Sequence, residues 1–120
     1  MNYPEDMDKE CIPLCDFFNS IGLETTFSCC GHGIGSFWII FSTKVTEEDI
    51  RNVLDKCTNK YGDIPICGYF IRWLRKNSNQ FVDNWAYMIP TLNYSAYATP
   101  IELAQYDLER FKKFYENSAE

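Results

Sequence analysis

The sequence predicts an α+β domain of element order α-ββα-ββα, in which two hairpins build a four-stranded, mainly antiparallel sheet with helices packed on one face. Three observations lead there. Four short runs are rich in aromatic and β-branched residues, most of them with period-two alternation, and three other segments carry apolar residues at helical spacing with recognisable start and stop signals. The unit strand–strand–helix occurs twice in succession. The chain of 120 residues is 46% hydrophobic, enough for one core without disulfide staples, so residues 1–120 form a single domain with residues 1–10 as a polar, loosely held arm.

The first helix is expected over Ile12 to Ile21, with Pro13 in its first turn, Gly22 just past its end, and Leu14, Phe17, Phe18 and Ile21 on its inner face. Leu23 to Cys29 alternates as a half-buried strand, with Leu23, Thr25, Phe27 and Cys29 on one face, and Phe37 to Ser42 is its partner across a long glycine-rich tip. The second helix opens on Thr46 as N-cap, with Glu47, Glu48 and Asp49 in the first turn and Val45 and Ile50 as a hydrophobic staple. Its apolar face runs through Ile50, Val53, Leu54, Cys57 and Tyr61, and Gly62 ends it. Tyr69 to Lys76 fits both periods. Its brevity and its β-branched and aromatic content favour a strand, with Tyr69, Ile71 and Trp73 on one face and Phe70, Arg72 and Leu74 on the other. Asn77-Ser78-Asn79 is a turn, Phe81 to Ile89 the fourth strand, and Thr99-Pro100-Ile101-Glu102 a capping box that opens the last helix, with Ile101, Ala104, Leu108, Phe111 and Tyr115 along its stripe.

Composition narrows the function. A net charge of −6, with acids spread along the chain, argues against general DNA or RNA binding, which is dominated by phosphate contacts. The N-terminus has neither a basic nor an apolar targeting region, and the uncharged stretch Asn84 to Ile101 is too rich in Pro, Asn, Thr and Ser to span a membrane. The expected location is therefore the cytoplasm, with all six cysteines reduced and Cys11, Cys15 and Cys57 serving as small core residues. Aromatic residues make up 17%, more than a core of this size needs, so some are expected to line a pocket or an interface, and self-association is a candidate use.

Two constellations can carry chemistry. The hairpin tip Ser28 to Ser36 holds Gly31, Gly33 and Gly35, which allow a concave nest of backbone N–H groups, together with hydroxyls at Ser28 and Ser36 and the chain's single histidine, His32. A flexible glycine-rich turn needs no ligand to explain it. The tip is not a nucleotide P-loop, since it has no Gly-Lys-Ser/Thr and leads into a strand. Cys29, Cys30 and His32 are metal-capable, but adjacent cysteines diverge across a strand and the zinc spacing is absent, so no metal and no cofactor are expected. Cys29 or Cys30 beside His32 also offers a nucleophile, without an acidic group in the loop to orient the histidine. The second constellation is Arg72, Trp73, Arg75 and Lys76 with Trp85 and Tyr87, where arginine can grip a phosphate and an indole can stack on a base. Basic residues on an edge strand also serve simply to discourage edge pairing.

The strings Ile12-Pro13-Leu14-Cys15-Asp16 and Glu24-Thr25-Thr26-Phe27-Ser28-Cys29-Cys30-Gly31-His32-Gly33, followed by Phe37-Trp38-Ile39-Ile40-Phe41, resemble a group of small bacteriophage and prophage proteins with a Ser-Cys-Cys-Gly-His-Gly motif. The likeness covers the first third of the chain. By analogy of size and composition, the chain looks like the phage anti-defence proteins that sequester nucleotide second messengers of bacterial immunity. That resemblance implies a binding protein in the cytoplasm of an infected bacterium, holding a small nucleotide-derived signal of the cyclic ADP-ribose or cyclic dinucleotide kind. Gly31, His32, Gly33 and Ser36 would hold phosphate, with Ser28 and Cys30 also at the ligand, Arg72 or Arg75 would neutralise charge, and Trp38, Trp73 or Trp85 would stack on a base. The alternatives are an enzyme that cleaves such a signal with the Cys-Cys-Gly-His loop, or an inhibitor that covers a host enzyme with an aromatic sheet face.

Overall fold

The structure, a computed structural model, describes residues 9–29, 36–90 and 99–117, without the side chains of residues 27–29, 77 and 117. Its element order is a short 3-10 turn at Lys9–Cys11, then α1 (Ile12–Ser20), β1 (Thr25–Cys29), β2 (Phe37–Phe41), α2 (Glu47–Lys56), β3 (Tyr69–Asn77), β4 (Gln80–Ile89) and α3 (Pro100–Asn117). This is the predicted α-ββα-ββα arrangement. The segment Tyr69 to Lys76, compatible with either period, is a strand. The N-terminal arm lies almost wholly outside the described residues.

Local chemistry accounts for each boundary. Pro13 sits in the first turn of α1, and Gly22, at φ +94°, turns the chain after it. Asn19 then ties α1 to the strand that follows. Its Nδ2 donates to the Cys15 carbonyl at 2.8 Å and to Thr25 Oγ1 at 2.9 Å, while its Oδ1 accepts from Thr25 N at 3.0 Å. β1 departs from simple alternation. Thr25 pairs with Phe41 but Phe27 pairs with Ile40, so Thr26 is an extra residue, a bulge, and its hydroxyl donates to the Ile40 carbonyl. The unbroken alternation expected from Leu23 to Cys29 is therefore interrupted at Thr26.

α2 is shorter than the spacing suggested. It begins with a complete capping box, in which Thr46 Oγ1 accepts from Asp49 N and Asp49 Oδ2 accepts from Thr46 N. It stops at Lys56, with Cys57 as its C-cap, instead of running on to Gly62. Asn59 ends it: its Oδ1 accepts from both Tyr61 N and Asp63 N, building a turn that competes with the helix. Tyr61, expected on the apolar face, is 77% exposed. Between β3 and β4 a two-residue turn is made possible by Ser78 at φ +59°. At the start of α3, Thr99 Oγ1 accepts from Glu102 N at 3.3 Å, the cap expected from the sequence.

The strands lie in the order β1-β2-β4-β3, all neighbours antiparallel. Phe37, Ile39 and Phe41 of β2 and Tyr87 and Ile89 of β4 project to one face, where Leu14, Phe18, Val53, Leu108 and Phe111 of the helices meet them. Phe18 is the hub of that layer, in ring contact with Phe41, Phe70, Tyr87 and Phe111 at centroid distances of 5.2 to 6.0 Å. Burying one such ring is worth about 1.5–3 kcal/mol, so this cluster anchors α1 and α3 to the sheet. Cys11, Cys15 and Cys57 are fully buried in the same core, as their helical surroundings suggested.

Candidate functional site

Alternation assigns the opposite face of the sheet. Trp38 and Ile40 of β2, Ala86 of β4, and Ile71, Trp73 and Arg75 of β3 point away from the helices. The register sets Ile40, Ala86 and Ile71 in one row, with Trp38 and Trp73 diagonally across it. Alanine in the middle leaves room for the indoles to approach, and their ring centroids are 6.5 Å apart with planes tilted by 42°. The Arg75 guanidinium lies over the Trp73 ring, 4.8 Å from its centroid. Stacking holds the cation in place while leaving the outward N–H groups of its planar fork able to bind an anion.

Asn84 completes this patch. It pairs with Trp73 in the register and its side chain is buried. Nδ2 donates to the Phe41 carbonyl at 2.8 Å, whereas Oδ1 is buried without a hydrogen-bond partner among the described residues. An orphaned buried acceptor is costly, and this one lies beneath the patch beside Trp73. Nothing in the sequence marked Asn84, because its role depends on which strand lies beside β4.

The residues singled out from the sequence do not all converge. Trp38, Trp73 and Arg75 come together on the face turned away from the helices. Arg72 and Trp85 pair with each other in the register but sit on the helix-side face. There Arg72 forms an ion pair with Asp83 and lies over the Trp85 ring at 6.0 Å, while Trp85 packs against the core. The sheet separates these two groups. Ser28 and Cys29 end β1, with Cys29 paired to Trp38, and half-buried Ser36 directly precedes β2, so the root of the glycine loop adjoins Trp38. Cys30, Gly31, His32 and Gly33 lie outside the described residues. No group of three metal-capable side chains gathers among the described residues.

A second polar constellation escaped the sequence reading. Asp107 of α3 is fully buried, and its carboxylate accepts hydrogen bonds from Cys67 N at 2.7 Å, Gly68 N at 2.8 Å and Tyr87 Oη at 2.6 Å. These bonds pin the segment before β3 to α3. Burial pushes the carboxyl above its ordinary value despite the donors around it, and burial next to that carboxylate raises the Tyr87 phenol well above its own. The Cys67 thiol is likewise raised, first by burial and then by Asp107, which makes it a poor nucleophile. Gly68 has no substitute here, because a Cβ would lie 2.4 Å from the Tyr87 ring. The available signal was an aspartate inside the apolar stripe, three residues after Ala104 and four before Phe111.

Fold and face together define a small α+β domain whose sheet is covered by helices on one side and carries an aromatic, arginine-bearing patch on the other. The family model of the YoqC prophage protein matches residues 2–119, and the chain belongs to that family. The match extends far beyond the first third that carried the resemblance to phage proteins. Comparisons with curated proteins and with solved structures find no significant match. Among the described residues no helix is long and apolar enough to cross a membrane.

Proposed function

We propose that this prophage protein binds a small nucleotide-derived signal on the sheet face turned away from its helices and withholds it from bacterial immunity. The observation that carries the reading is the trio of Trp38, Trp73 and Arg75. A base stacks on an indole, and a phosphate takes the outward edge of Arg75. In this reading the glycine loop, whose root at Cys29 pairs with Trp38, supplies further phosphate contacts through Gly31, His32 and Gly33. Sequestration asks only for tight binding. A nanomolar Kd corresponds to about −12 kcal/mol, which stacked rings and charge-assisted hydrogen bonds in one patch are able to supply.

Titration calorimetry against cyclic ADP-ribose isomers and cyclic dinucleotides tests this. Trp73→Ala and Arg75→Ala should each weaken binding by about tenfold or more, the loss of one stacked base or one charge-assisted contact. Arg72→Ala, on the far side of the sheet, should leave affinity unchanged. A ligand whose affinity ignores Trp73 and Arg75, or a panel with no binder at all, overturns the proposal.

A further inference from the structure

The β3–β4 hairpin outruns the rest of the sheet. β2 pairs with β4 only from Ala86 to Ile89, whereas β3 follows β4 down to the pair Asn77 and Gln80. From Arg72 and Trp85 outward the two strands form a ribbon of six residue pairs, roughly 20 Å long, with no third strand among the described residues. Two-stranded ribbons gain little stability by themselves, and their apolar side chains are normally spent on a sheet or a helix. Here Leu74 and Phe81 lie diagonally adjacent on the helix-side face of the ribbon and remain 65% and 72% exposed. The ribbon also concentrates positive charge. It holds Arg72, Arg75 and Lys76 against one carboxylate, Asp83, in a chain whose net charge is −6.

We infer that this ribbon is a docking arm for a second copy of the chain, seated by Leu74 and Phe81 and guided by its charge onto the acidic body of its partner. Ribbon against ribbon would set Arg72 and Lys76 of one copy against their own counterparts, which disfavours that arrangement. The body offers the opposite sign: the first turn of α2 presents Glu47 and Glu48 at the surface, within the acidic run Glu47-Glu48-Asp49. Every copy carries both the basic arm and the acidic body, so a two-fold arrangement uses each contact twice and closes on itself. The arm's docking face is the reverse of the face that carries Trp73 and Arg75, so self-association and ligand binding are separable.

Sedimentation velocity and light scattering of the full chain test the inference. The wild type should be dimeric, and its dissociation constant should rise at least tenfold between about 0.05 and 0.5 M salt, as screening removes the charge guidance. Leu74→Ser with Phe81→Ser should raise it at least tenfold at constant salt. Lys76→Glu should weaken it as well, and this surface change decides the matter if the double variant loses its circular dichroism. A chain that stays monomeric at about 100 µM overturns the inference. So does a dimer indifferent to salt and to all three substitutions, because its interface must then lie elsewhere. Ligand affinity, measured on the same variants, should not move.

Discussion

Asp107 shows how one side chain can hold a segment that has little regular structure of its own. Three donors from two elements converge on its carboxylate, and no cation lies within ion-pairing distance among the described residues. Asp107→Asn would turn an N–H toward one of those donors, and at neutral pH it should cost about 1–3 kcal/mol in urea unfolding. The dependence on pH carries more information than the loss itself. Because the folded-state pKa is raised, the folded chain holds this proton more tightly than the unfolded chain. The stability contributed by the group is therefore full below its ordinary value of 3.8 and declines as pH rises through the raised value. Wild-type stability relative to Asp107→Asn should fall as pH rises above 3.8, and a rise instead would mean that the hydrogen bonds outweigh burial.

At the level of elements, the signals that could be read from the sequence were those that act locally. Thr46 as a cap, Pro13 in a first turn, Gly22 after a helix and the alternation of Tyr69 to Trp73 each depend on a few neighbours, and each is found as expected. Thr46→Ala removes the acceptor for Asp49 N and should lower the midpoint of thermal unfolding by an amount equivalent to about 1 kcal/mol. What escaped the sequence depends on partners distant in the chain. The bulge at Thr26 is defined only against β2, and the end of α2 is decided by a turn at Asn59 that helical spacing does not reveal. The candidate site divides in the same way. Alternation alone placed Trp73 and Arg72 on opposite faces. Trp85 joins the latter through the register of the β3–β4 hairpin, whereas Trp38 joins the former through the pairing of β2 with β4, which no local pattern encodes.

For the molecule as a whole, the sheet acts as a partition. Its helix side is filled by the ring cluster around Phe18, so a ligand there would have to displace core, while its other side presents Trp38, Trp73 and Arg75 without entering that cluster. A chain of this size has room for one packed layer of helices, and among the described residues no helix covers the second face of the sheet. The approach of Trp38 and Trp73 across the row of Ala86 also has an optical consequence. Two indoles 6.5 Å apart and inclined by 42° are close enough for their transition dipoles to couple, which splits their ultraviolet absorption into a circular-dichroism couplet of opposite lobes. Trp38→Phe or Trp73→Phe should each abolish the couplet, while Trp85→Phe, on the other side of the sheet, should leave it standing. A ring that slides between the two indoles should erase it during titration, giving the chain its own reporter of an occupied face without any label.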